Sequence, residues 1–139
     1  MRNAGSEIVL RQVAHAIVRR TPRGSLSRAA ASSLARLDDH GPERITALAE
    51  REAVSQPAMT ALVRRLENAG LVTRHADAED ARATRISITE QGRATLHERL
   101  AQYDKLIGEA LDRLSDDDRA SIAAALPALE NFVRTYDFH

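Results

Sequence analysis

The sequence has no cysteine and no tryptophan, two tyrosines and two phenylalanines, and one lysine, Lys105, among its twenty basic residues. Without cysteine there are no disulfides, thiolate metal sites, cysteine nucleophile or thiol redox switch. The scarcity of aromatics leaves a core of Ala, Leu, Val and Ile, which suits packed helices whose ridges take small and unbranched side chains. No window holds the roughly 18 apolar residues of a membrane span. Residues 1–20 carry Arg2, Arg11, Arg19 and Arg20 without a long apolar run, unlike a secretory signal, so a cytoplasmic protein with no membrane partner is expected.

Catalytic constellations are missing as well. Catalysis needs converging groups, such as a nucleophile with its base or a metal with an open position. The histidines, at 15, 40, 75, 97 and 139, are scattered without H-x-x-x-H spacing, and no glycine-rich loop could cradle a phosphate. No enzyme, cofactor or metal site is expected.

At 139 residues the chain has the length of one domain and can bury a core without disulfides or metals. The net charge of zero is unevenly spread. Residues 1–36 hold seven Arg and one Glu, whereas residues 100–139 hold four basic residues against eight acids. A neutral chain polarised in this way can still present a basic face. Arg, which dominates here, is also the better fork for phosphates and guanine edges.

Periodicity predicts a helix over residues 7–20, with Leu10, Val13, Ala14 and Ile17 on one face, broken by Thr21-Pro22-Arg23-Gly24. A second helix fits Ser27–Asp39 and stops at His40-Gly41-Pro42. A short third helix fits Glu43–Glu52, and Ala53-Val54-Ser55 leads into a fourth that runs to Asn68. Ser55 is a good N-cap, and Pro57 is tolerated in a first turn whose amides lack helical partners. After Gly70 the period changes to that of strands, at 71–74 and 84–89, around a polar tip. Helical spacing returns from Glu90 to about Arg113, with Leu96, Leu100, Tyr103, Ile107, Ala110 and Leu114 in one stripe. Ser115 and Asp118 read as a capping box for a last helix, which Pro127 should kink or split.

Two short helices joined tightly and followed by a hairpin form a winged helix-turn-helix, whose second helix enters the major groove of DNA. In the fourth helix Met59, Leu62, Val63 and Leu66 follow the i, i+3, i+4, i+7 pattern and must face the core. Pro57, Ala61, Arg64 and Asn68 then face outward, flanked by Gln56, Thr60 and Arg65. Small side chains let a helix approach base edges that Gln, Thr and Arg can hydrogen-bond. First-turn amides, at Ser55 and beyond, can meet a phosphate. Arg64 can read guanine bidentately or hold a phosphate, and the sequence leaves both open. On the hairpin, Arg82 suits the strongly negative minor groove, with Asp80 placed to orient it through a charge-assisted hydrogen bond.

In this stretch the sequence resembles the MarR family, the multiple-antibiotic-resistance type of bacterial regulators. The family's wing reads D-x-x-D-x-R, five residues, then L-T-x-x-G. Asp77, Asp80, Arg82, Ile88-Thr89 and Gly92 match it, as do Leu48-Ala49, Val54-Ser55, Leu66-Glu67 and Gly70-Leu71-Val72 upstream. Glu79 and Ala81 depart from it, standing where basic residues are common, and Arg74 and Arg85 on the strands could compensate. Ala53 stands where Gly is frequent, and Glu52 where an apolar residue is common.

The resemblance implies a mainly α fold with a small β-hairpin wing. Residues 1–26 and 93–139 would be dimerisation helices around a DNA-binding core at 27–92, all within one domain. It implies a homodimer on a pseudo-palindromic double-stranded operator, acting as a repressor released by a small-molecule effector between the dimerisation helices and the reading head. The expected DNA-binding residues are Ser55, Gln56, Pro57, Thr60, Ala61, Arg64, Arg65, Arg74, Arg82 and Arg85, with Asp80 supporting the wing. Two other readings stay open. One is a divalent-metal sensor using Asp38, Asp39, His40 and Glu43, and the other is a winged-helix module that binds protein instead of DNA.

Overall fold

The computed structural model describes Gly5–Arg20, Gly24 and Leu26–Asp137. Its elements are α1 (Ser6–Arg20), α2 (Arg28–His40), β1 (Glu43–Arg44), α3 (Ile45–Arg51), α4 (Gln56–Asn68), β2 (Val72–Ala76), β3 (Thr84–Ile88), α5 (Glu90–Leu111) and α6 (Asp116–Asp137). The chain divides into two compact units, Met1–Gln102 and Tyr103–His139. The break expected at Thr21-Pro22-Arg23 lies outside the described residues.

Local chemistry sets the helix boundaries. Ser27 caps α2 by accepting the Ala30 N–H, and Gly41, at φ 81°, ends it in a backbone conformation that a side chain would strain. The third helix begins two residues later than its periodicity suggests, because Glu43 and Arg44 pair antiparallel with β3. A two-residue strand has no periodicity of its own, so only its partner reveals it. The sheet order is β1-β3-β2, with Val72 opposite Ile88 and His75 opposite Arg85.

One core holds the first unit together. Leu34, Leu37, Leu48, Met59, Val63 and Ile86 are each at most 2% exposed, and Leu62, Leu66, Val72, Ile88 and Leu96 join them. Full burial of such side chains contributes about 1.5–3 kcal/mol each, so α2–α4 and the sheet have a core of their own. α1 buries no residue, and Ile8, Val9, Leu10, Val13 and Val18 are all exposed.

In the second unit the N-cap half of the expected capping box forms, with the Asp118 N–H donating to Ser115 Oγ, while the Asp118 carboxylate accepts from the Ser115 hydroxyl and not, as in the full box, from a backbone N–H. α6 runs unbroken past Pro127, which therefore does not split it. Its outer surface is apolar, with Ile122, Leu126, Leu129, Phe132, Val133 and Tyr136 exposed and the last aromatic pair stacked at 6.0 Å. Among the described residues no helix is long and apolar enough to cross a membrane.

Candidate nucleic-acid interface

α4 is oriented by the turn that precedes it. α3 ends in a Schellman motif, with the Val54 N–H on the Ala49 carbonyl at 3.0 Å and the Ala53 N–H on the Glu50 carbonyl at 3.2 Å. Ala53 takes the left-handed position, φ 51°, where glycine would be relaxed. The Ser32 hydroxyl donates to Glu52 Oε1 at 2.8 Å, which gives this polar residue a tie to α2. α4 closes with the same motif through Leu71 and Gly70, whose φ is 74°.

Ser55 caps α4 by accepting the Ala58 N–H on Oγ. Met59, Leu62, Val63 and Leu66 turn inward as their spacing requires. Gln56, Pro57, Ala61 and Arg64 are exposed, Thr60 is half-buried, and these five line one shallow concavity. Arg65 is exposed but lies outside it. Neither Arg64 nor Arg65 has an ion-pair partner among the described residues. The first turn offers an anion less than its sequence suggests. Pro57 has no N–H, the Ala58 amide goes to Ser55 Oγ and the Met59 amide to the Ser55 carbonyl, leaving Gln56 as the donor.

The wing rises beside this helix on β2 and β3. At its tip Asp80 Oδ1 accepts the Arg82 N–H at 3.0 Å, while the Asp80 carbonyl accepts the Ala83 N–H at 2.9 Å. Asp80 thus shapes the turn through the Arg82 backbone, not through its guanidinium. That guanidinium is exposed and unpaired among the described residues.

The base of the wing is built differently. The β1–β3 register sets Arg44 directly opposite Arg85, a like-charge pair that would destabilise the sheet alone. The buried Asp77 carboxylate resolves it: Oδ2 accepts both Nε–H groups at 2.9 Å, and Oδ1 accepts the Glu79 N–H at 2.9 Å. The Glu79 amide, then Arg85 and Arg44, hold the Asp77 carboxyl well below the usual carboxylate range. The same carboxylate pushes the Arg85 guanidinium up. Arg85 also donates from Nη1 to the Pro42 carbonyl at 3.1 Å, and Arg74 donates from Nε to Glu67 at 2.7 Å. Both strand arginines expected at DNA thus also hold partners within the protein, Arg74 on Glu67 and Arg85 on Asp77. Sequence reasoning nominated neither Arg44 nor Asp77 as a hub, since their meeting depends on β1.

Thr89 and Gly92 join the wing to α5. Thr89 Oγ1 donates to the Gly70 carbonyl at 2.6 Å and accepts the Gly92 N–H at 3.0 Å. A Cβ on Gly92 would lie 2.1 Å from the Leu71 carbonyl oxygen, so only glycine allows this approach. The motif Ile88-Thr89-x-x-Gly92 is thus a helix cap and a contact point between backbones.

Two of the three acids weighed for a metal, Asp38 and Glu43, have other partners. Asp38 accepts from Arg93 Nε at 2.9 Å and lies 3.2 Å from His97 Nε2, and Glu43 binds Arg36 through both oxygens. Among the described residues no three His, Asp or Glu side chains are grouped to hold a metal ion.

Comparison with known proteins agrees with this geometry. The MarR family model matches residues 26–84. The HTH-type transcriptional repressor MdtR of Bacillus subtilis is 30% identical over 90 residues, covering 65% of this chain and 58% of that protein's length. The transcriptional regulator Tm0710 of Thermotoga maritima superposes with a TM-score of 0.77 at 23% identity, over 96% of each chain. A Staphylococcus aureus MepR mutant bound to an oligodeoxyribonucleotide superposes with a TM-score of 0.70 at 19% identity, over 91% of this chain and 96% of that one. The wing motif, the turn and α4 all fall in or beside the stretch that the MarR family model matches, and the chain shares the fold of these solved regulators.

Proposed function

We propose that the protein is a non-enzymatic, dimeric transcription regulator that binds a pseudo-palindromic operator, and that it represses until a small ligand is bound. The observation that carries this reading is the outer face of α4, where Gln56, Pro57, Thr60, Ala61 and Arg64 form one surface; on the wing tip Arg82 is likewise exposed and unpaired among the described residues. Such a face suits the major groove, and an arginine on a narrow projection suits the adjacent minor groove. A protein of the same fold binds an oligodeoxyribonucleotide. The dimer is supported by the exposed apolar residues of α1 and α6, which water would penalise if they stayed uncovered. Two-fold symmetry would then place two reading helices about 34 Å apart, or a multiple of that, on one side of the duplex.

Repression and its release rest on likeness to the MdtR repressor and on the expectation that a ligand shifts the spacing of the two heads. The test is a gel-shift titration on the DNA upstream of the protein's own coding sequence, at several salt concentrations. Salt-sensitive binding to a near-palindrome is the expected result, and absence of binding at low salt overturns the reading. Titrating small aromatic acids and divalent metals into the complex, and following its melting temperature, then identifies the class of effector.

A further inference from the structure

α4 carries two adjacent arginines, both exposed and both without an ion-pair partner among the described residues, so charge and availability do not distinguish them. Their directions do. Successive residues of an α-helix are turned by about 100°, which separates the two guanidinium stems by more than a quarter turn. The buried residues Met59, Leu62, Val63 and Leu66 fix the inward direction. Arg64 then lies close to the opposite, outward line, together with Pro57 and Ala61. Arg65 falls on a flank. The surface agrees: Arg64 shares the concavity with Gln56, Pro57, Thr60 and Ala61, whereas Arg65 does not line it.

We propose, resting on the DNA-binding reading above, that the two arginines divide the work: Arg64 reads a guanine edge and Arg65 grips a phosphate. Gln56, Thr60 and Arg64 are spaced at i, i+4 and i+8, so they form one polar row. Eight residues at 1.5 Å rise make that row about 12 Å long, or roughly three to four base steps of 3.4 Å. Pro57 and Ala61 form a parallel row of short apolar groups. Gln pairs with the N6/N7 edge of adenine, Arg with O6/N7 of guanine, and small apolar groups with the thymine methyl. The half-site core assigned to this face is an adenine and a guanine three to four steps apart, with a thymine methyl between them. Arg65, on the flank, meets the sugar–phosphate wall of the same groove and carries no sequence information.

The experiment is binding-site selection from random duplex DNA with the full-length protein and its R64A and R65A variants, followed by affinity measurements at several salt concentrations. Both substitutions are at exposed positions, and thermal melting checks that the variants fold. The wild-type protein should enrich an adenine and a guanine at the stated spacing. R64A should lose about ten- to a hundred-fold of its preference at the guanine position and keep its other preferences. R65A should bind all sequences more weakly, with unchanged preference and a salt slope smaller by about one. Replacing the central thymine by uracil should weaken wild-type binding. If R64A instead weakens every sequence equally and R65A changes the preferred base, the assignment is overturned while DNA binding stands. If the wild-type protein enriches no sequence, the function proposed above falls with it.

Discussion

The base of the wing and the outer face of α4 both display arginine, but to opposite ends. At the wing base Arg44 and Arg85 face each other across the sheet and are held by one buried carboxylate, while Arg74 is tied to Glu67. On α4 and at the wing tip, Arg64, Arg65 and Arg82 have no such ties among the described residues. A guanidinium fixed by charge-assisted hydrogen bonds to a carboxylate at 2.7–2.9 Å shapes the protein, and one left in water remains available to a partner. Position relative to the core decides which. The strand arginines lie where other groups of the protein meet them, and the others are exposed without an ion-pair partner among the described residues.

The comparison predicts effects of different size and kind. The largest falls where the wing base meets α5. Gly92→Ala forces a Cβ against the Leu71 carbonyl and should destabilise the fold by about 3 kcal/mol, read from the urea midpoint. Asp77→Ala should come next, because it leaves two facing guanidinia and the Glu79 amide without their acceptor. Its pH dependence has a definite sign. Folding lowers the Asp77 pKa below its usual 3.8, so the contribution is complete above that value and is lost as pH falls through the folded-state pKa. Asp77→Asn should therefore flatten the acid limb of the stability curve. An unchanged acid limb would mean that the two arginines do not depend on this carboxylate.

Arg82 and Arg85 sharpen the contrast within one hairpin. Arg82→Ala should weaken operator binding about tenfold, while stability changes by no more than about 0.5 kcal/mol. Arg85→Ala should lower the melting temperature, because Asp77 loses a donor and the Pro42 carbonyl its partner. If both variants bound less tightly with unchanged melting temperatures, the wing base would be contacting DNA and the division between shaping and reading would fail.

Much of this was legible in the sequence because it rests on short-range rules. The inward face of α4, the caps at Ser55 and Ser115, and the glycine stop at Gly70 each follow from spacing within one helix. The hairpin and its tip follow from alternation and from turn residues. What could not be read depends on segments far apart in the chain. β1 is two residues long, and Arg44 meets Asp77 only because that strand pairs with β3. A surplus of facing arginines with one buried acid is a three-dimensional signal. Asp80 was recognised as a supporting residue, but its partner is a backbone amide that the motif does not specify.

The smallest effect concerns the turn between α3 and α4. α3 and α4 both end in a Schellman motif, one with Ala53 at the left-handed position and the other with Gly70. A non-glycine residue there costs about 1–2 kcal/mol against a relaxed glycine, part of which glycine's own flexibility in the unfolded chain offsets. Ala53→Gly should therefore raise stability by about 1 kcal/mol, measured as a higher urea midpoint with an unchanged slope. Gly70→Ala should move the midpoint the other way, since its new Cβ must also displace the Gln91 side chain at 3.0 Å. Because the turn is closed by the Ala53 and Val54 N–H groups on the Glu50 and Ala49 carbonyls, Ala53→Gly leaves the bonds that precede α4 in place. Operator affinity of Ala53→Gly should stay within twofold of wild type. A large gain or loss would show that the strain at Ala53 sets the angle at which α4 meets DNA, and would move this residue from the shaping set to the reading set.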